Sequence, residues 1–284
     1  MKFQIQAPIF GISRHRLTTD GRGVTTLVAF HGCTLRCKYC LNPQCLESGK
    51  NVPCYTPQSL FDEVKKDDLY FRATGGGVTF GGGEPCLQAD FILAFHSLCP
   101  PEWKIRIETA LNVNPTIVES LAPIVNEWIV DLKSLNPAIF ESYTDYDIAQ
   151  RNKSLNRLAN LVPLDMVKLR IPIIPGYTTK DEATADMEHL KTFGFTRFDI
   201  FPYVIEKPLR YGSLIPGLLP GKAICEIMKR IRDIIADANG IKKSSRICTH
   251  KGDCAGTCPV CEKELFDLTQ TIYSQIKQNQ PICL

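Results

Sequence analysis

Residues 24–40 read Val24-Thr-Thr-Leu-Val-Ala-Phe30-His31-Gly-Cys33-Thr-Leu-Arg-Cys37-Lys-Tyr39-Cys40. The stretch to Phe30 is β-branched, apolar and aromatic, the composition of a buried strand. His31 and Gly32 end it, and three thiols follow at once in a single loop. In an α/β barrel or an open parallel sheet, ligands bind at the C-terminal mouth of the strands. This loop is therefore both a strand end and a candidate site.

Working outward, similar short apolar runs occur at 77–80, 104–108, 128–132, 166–171 and 197–201. Segments with apolar residues three or four apart lie between them, at 57–66, 87–98, 115–121, 152–160 and 181–193. Start and stop signals agree: Pro57 follows Thr56, and Gly194 closes the helix headed by Asp181 and Glu182. Strands alternating with helices predict an α/β fold with a parallel sheet. Six such units are too few for a closed barrel, so the expectation is a partial (β/α)6 TIM-like barrel, with a flat doubly wound sheet as the alternative. Past Tyr203 the pattern changes: Pro208, Gly212, Pro216, Gly217, Pro220 and Gly221 mark a long loop. Amphipathic helices are expected at 223–238 and 262–277. The chain thus divides into a partial barrel over 1–210 and a helical, cysteine-rich extension over 211–284.

Of 284 residues, 44% are apolar and 22% charged, ordinary values for a chain that folds. The net charge of +3 is spread without a long basic block, which argues against a dedicated nucleic-acid binder. No apolar run approaches the roughly 20 residues of a spanning helix, and residues 1–16 do not read as a secretory signal. A cytoplasmic location is expected. There, thirteen cysteines point to metal rather than to disulfides. Seven of them form two groups, Cys33, Cys37 and Cys40 near the start and Cys248, Cys254, Cys258 and Cys261 near the end.

Three close cysteines leave one metal position open. Cys45 could complete a zinc site; alternatively, three thiolates hold a four-iron cluster with one iron free for an outside ligand. The context favours the cluster. With Tyr39 before the third cysteine, the loop resembles the signature of the radical S-adenosylmethionine (SAM) superfamily. Asp20-Gly-Arg-Gly23, Phe30-His-Gly-Cys33 and Cys40-Leu-Asn42-Pro43 resemble its glycyl-radical-enzyme activating branch, of the pyruvate formate-lyase activating type. Gly75-Gly-Gly-Val-Thr79-Phe-Gly-Gly-Gly-Glu84-Pro85 is similar to the family's second-strand motif. Glu108-Thr109-Ala110, Asp131-Leu-Lys133, Arg170 and the Pro175-Gly176 turn continue the series, and the resemblance covers residues 11–210.

The resemblance implies a 4Fe–4S cluster on Cys33, Cys37 and Cys40, with SAM at its open iron. It implies that Gly82, Gly83 and Glu84 hold the methionine amino group, and that Glu108, Lys133 and Arg170 contact the ribose and carboxylate. Asp131 and Glu108 would also flank a monovalent cation. A small donor such as flavodoxin or ferredoxin would reduce the cluster, and a glycyl radical enzyme would be the protein substrate. Departures from the pattern are Thr25 for a basic residue or Ser, Glu108 for Asp, and Pro202-Tyr203-Val204 for Pro-Tyr-His. A peptide-modifying radical SAM enzyme and a non-enzymatic iron–sulfur or zinc protein are the other readings.

Cys248-x5-Cys254-x3-Cys258-x2-Cys261 offers four thiolates, enough to close a coordination sphere around a second 4Fe–4S cluster or a structural zinc. His250 and Cys283 are further possible ligands. Cys45, Cys54, Cys86, Cys99 and Cys225 stand among apolar residues and are expected to be buried hydrophobes.

Overall fold

The chain opens with β1 (Ala7–Arg16), which turns back antiparallel onto β2 (Thr25–Phe30). A short strand β3 (Cys54–Tyr55) pairs with the outer edge of β1. Helices α1 (Pro57–Val64) and α2 (Asp68–Thr74) lead into β4 (Gly77–Gly82), which lies parallel to β2. The βα alternation then runs through α3 (Ala89–His96), β5 (Lys104–Thr109), α4 (Pro115–Leu121) and β6 (Glu127–Asp131). It continues through α5 (Pro137–Thr144), α6 (Ala149–Ala159), β7 (Val167–Ile173), α7 (Lys180–Lys191) and β8 (Arg197–Pro202). Two long helices follow, α8 (Gly221–Ala238) and α9 (Pro259–Lys277). This computed structural model describes residues 5–17, 19–47, 51–203, 221–242, 248, 254 and 257–284. The loop expected at 204–220, the boundary at 210, Val204 and His250 lie outside them.

The sheet has eight strands in the order β3-β1-β2-β4-β5-β6-β7-β8. All six expected parallel strands are present in sequence order, which is the partial barrel rather than the doubly wound alternative, where the order reverses at a switch point. β1 and β3 are additions. β1 carries Pro8 and Gly11 and has register shifts between Ile9 and Gly11 and between Ser13 and Arg16, features that an edge-side strand tolerates.

Capping explains where four of the helices begin. Thr56 and Thr179 form capping boxes with Ser59 and Glu182, and Asn114 and Asn136 cap α4 and α5 ahead of Pro115 and Pro137. The main core lies between sheet and helices. Phe30 stacks on Phe80 with centroids 5.4 Å apart, Phe91 and Phe95 meet them edge-on, and Trp128 is fully buried. A second core joins α8 and α9 to α2 through Leu69, Tyr70, Met228, Ile235, Leu265 and Leu268, with Val24 just ahead of β2. It therefore lies at the N-terminal ends of the strands, opposite the three-cysteine loop.

Candidate cofactor site at the strand mouth

The loop carrying Cys33, Cys37 and Cys40 leaves the C-terminal end of β2 and is held from two sides. From one side, Arg36 and Lys38 donate their backbone N–H groups to the carbonyls of Thr144 and Tyr143, each at 3.0 Å, so the end of α5 splints it. From the other, Gly83 N–H donates to Phe30 O at 2.9 Å and Glu84 N–H to Gly32 O at 2.8 Å. The Gly82–Glu84 segment is thus zipped to the chain that leads into Cys33. Glycine is required here: at Gly83 a Cβ would strike the Gly32 carbonyl, and at Gly82, with φ +89°, it would strike Ala29.

All three thiols are half-buried. Burial pushes Cys33 up and Cys37 up to about 11, whereas a hydrogen bond from Cys45 brings Cys40 down to about 6. Lys133 lies close enough to favour the thiolate at each of the three. Cys45, one of the scattered cysteines, is buried against Cys40 and shares this corner of the site.

The remaining expected residues line the same mouth. Glu84 is 1% exposed, and its carboxylate accepts from Thr109 Oγ1 (2.7 Å), Cys86 N (3.1 Å) and Ala110 N (3.1 Å). Both oxygens are therefore engaged within the protein, and Glu84 works as a strut between the ends of β4 and β5. Arg170 pairs with Glu108, and Lys133 with Asp131. Burial raises Glu108 while Arg170 opposes it; burial also resists ionisation of Asp131, but Lys133 and Arg170 hold that carboxyl low. Asp131 Oδ1 is buried with no hydrogen-bond partner, leaving an acceptor for a polar ligand.

Tyr39 and Tyr203 belong to strings already noted in the sequence, whereas Tyr143, Tyr177 and Asp199 were not singled out there. Tyr39, Tyr143 and Tyr177 form an aromatic group with centroids 5.0 to 6.3 Å apart, and the Tyr203 hydroxyl donates to the Tyr39 carbonyl. Tyr203 thereby ties the end of β8 back to the cysteine loop. Asp199 on β8 faces Lys168 at 3.3 Å and Arg170 at 3.9 Å. The motif strings do not mark Tyr143, Tyr177 or Asp199; their positions just past or near strand or helix ends are their signal.

A metal group held by the three thiols fits this arrangement. The donor set is soft, a cation acts on it, and an unpartnered buried acceptor lies at a neighbouring strand end. Among the described residues, no three or more Cys, His, Asp or Glu side chains already converge as a single-ion site. Thiolates that each bind a different iron of one cluster have no need to converge.

Near the second cysteine group stands a further cysteine, Cys225, and Cys248 lies close enough to act on it. Cys225, Cys254 and Cys261 are buried together with Cys258 packed against them, whereas Cys248 is exposed. Cys225 of α8 had been assigned only a hydrophobic role.

A parallel half-barrel with a three-thiol loop at its first mouth, a glycine cradle beside it and paired charges around it defines an enzyme built on a thiolate-held metal group. The Radical SAM superfamily model matches residues 27–187, more than half of the chain, and the chain belongs to that superfamily. It is a radical SAM enzyme, and the family implies a 4Fe–4S cluster and SAM. It is 30% identical over 211 residues to the pyruvate formate-lyase 2-activating enzyme of Escherichia coli (strain K12), covering 62% of this chain and 70% of that protein. It is 28% identical over 238 residues to the pyruvate formate-lyase 1-activating enzyme of the same strain, covering 77% of this chain and 91% of that one. The crystal structure of Streptococcus suis SuiB matches with a TM-score of 0.46 at 15% identity, over 77% of this chain and 48% of that one.

Proposed function

We propose that this chain activates a glycyl radical enzyme in a reducing cytoplasm. When bound, a 4Fe–4S cluster supplies one electron to SAM, splitting its sulfonium–carbon bond to give methionine and a 5′-deoxyadenosyl radical that removes a hydrogen atom from a backbone glycine of the partner. Flavodoxin or ferredoxin is the proposed source of that electron.

The observation that carries the reading is the backbone zip between the Gly82–Glu84 segment and the chain leading to Cys33, with the Lys133 charge acting on all three thiols. Cys33, Cys37 and Cys40 are the proposed cluster ligands. Gly82, Gly83 and the backbone of Glu84 would receive the methionine end beside them. Glu108, Asp131, Lys133 and Arg170 would take the carboxylate and ribose, and Tyr39 would wall the loop side. The unclosed sheet leaves a side through which an extended glycine-bearing segment can enter. The C-terminal cysteines pack by the second core at the other end of the strands, which leaves the peptide-modifying alternative without a metal site near the mouth.

The test is electron paramagnetic resonance on a glycyl radical enzyme of the same cell, mixed anaerobically with the reduced, iron-loaded protein and SAM. A persistent glycyl radical signal on the partner is expected. A partner that stays radical-free while 5′-deoxyadenosine accumulates removes the activating role.

A further inference from the structure

We infer that Cys225, Cys254, Cys258 and Cys261 form a structural zinc site, with Cys225 rather than Cys248 as the fourth ligand. The site clamps α8, Cys254 and the start of α9.

Helix geometry brings the four together. Gly221 and Cys225 lie four residues apart, on one face of α8. A Cβ at Gly221 would collide with the Cys254 carbonyl, so the backbone at Cys254 crosses directly over the first turn of α8. Cys258 is the N-cap residue of α9, which puts Cys261 in its first turn. Cys254 and Cys261 are 8% and 3% exposed and Cys225 is 3% exposed, whereas Cys248, near enough to act on Cys225, is exposed.

One sulfur spacing favours zinc over a second cluster. Ligands on a tetrahedral zinc at about 2.3 Å stand about 3.8 Å from one another, and Cys225 Sγ lies 3.6 Å from Cys261 Sγ. Cysteines of a cubane each bind a separate iron, which holds their sulfurs well beyond that distance. Cys261 also meets the Cys258 thiol, and Cys254 belongs to the same buried cluster; the four thiols are gathered, and binding would draw them the rest of the way onto one ion.

Charge is provided for as well. Four thiols release four protons to solvent as they bind one divalent ion, leaving the site with two negative charges and no change of oxidation state. Lys229, one turn beyond Cys225, acts on Cys225 and Cys258, and Arg232, a further turn on, acts on Cys261. Because the site lies at the base of the sheet, its role is to fasten the extension, independently of the activating role proposed above.

The test is metal analysis of the full chain, purified anaerobically from zinc-replete cells. About one zinc per chain is expected, retained in a Cys33/Cys37/Cys40→Ala variant and in Cys248→Ser, and lost in Cys225→Ser. Cys225→His should keep the metal, and after cobalt substitution it should show shifted visible bands against the wild-type tetrathiolate spectrum. That arm separates lost ligation from lost folding. Zinc lost in Cys248→Ser but kept in Cys225→Ser would overturn the ligand set. Iron in place of zinc, about four per chain lost on changing Cys254, Cys258 and Cys261, or no metal beyond that on Cys33, Cys37 and Cys40, would overturn the site.

Discussion

Lys133 adopts φ +64° although it has a side chain, a conformation of modest cost that persists only where surrounding contacts over-determine it. Its ammonium is paired with Asp131 and its charge acts on all three thiols, so the strained backbone delivers a cation that the three share. At the other end of the strands a different residue carries a stability test. Asp67 is fully buried and accepts from Arg14 Nε (2.8 Å), Arg14 Nη2 (2.6 Å) and Thr26 Oγ1 (3.1 Å), with His15 Nε2 at 3.1 Å. Burial pushes its carboxyl up, yet Arg14 and His15 more than offset this and hold it at about 2. An aspartate in the unfolded chain titrates near ~3.9, so the folded group is the stronger acid. Its contribution is full above that value and is lost as pH falls toward 2. Urea denaturation at several pH values should show Asp67→Asn less stable by about 2 kcal/mol at neutral pH, with the difference shrinking below about pH 4. A difference that stays constant across the acid range would contradict this account of Asp67.

Among the elements, α5 matters beyond its eight residues because its last turn supplies the Tyr143 and Thr144 carbonyls that hold the cysteine loop. Asn136 starts it, its side chain accepting from the N–H groups of Ala138 (2.9 Å) and Ile139 (3.4 Å). Asn136→Ala should cost about 1 kcal/mol and speed the release of cluster iron to a chelator, measured by absorbance of the chelate. Unchanged release with lowered stability would mean that α5 does not govern the loop. This helix was not legible in the sequence: it is short, and its Phe140, Tyr143 and Thr144 lack a strong helical propensity. α2 was missed because a single 3-10 turn separates it from α1. The parallel strands were legible because most of their residues are buried, which leaves short, nearly continuous apolar runs. β1 was not, since Pro8, Gly11, Arg14 and Arg16 break any alternation. The thiol loop, the glycine cradle and the charged strand ends could be read as strings, but the engagement of both Glu84 oxygens could not. Cys225 escaped notice because its partners lie in a distant segment that only the packing of α8 on α9 brings near.

The whole molecule has two ends with separate work. Its mouth gathers thiols, glycines and paired charges, and its base fastens α8 and α9 through a buried network in which Arg232 donates to Glu264 (2.7 Å) and the Tyr70 hydroxyl (2.6 Å). Arg14 extends that network from β1 to Glu262 on α9 at 2.9 Å. Removing one member of a buried ion pair strands the other, so Arg232→Ala should lower stability by about 3 kcal/mol in urea denaturation. Arg232→Ala combined with Glu264→Ala should recover part of that loss, and a wild-type midpoint for the single variant would dismiss the network as a fastener. The central claim concerns the mouth: an iron–sulfur group on Cys33, Cys37 and Cys40 that reductively cleaves SAM. Its most direct measurement is 5′-deoxyadenosine released by the iron-loaded protein under anaerobic reduction with SAM, quantified beside the Cys33/Cys37/Cys40→Ala variant. The account predicts product from the wild type and none from the variant; no product from a wild type carrying a fully assembled, reduced cluster would contradict it.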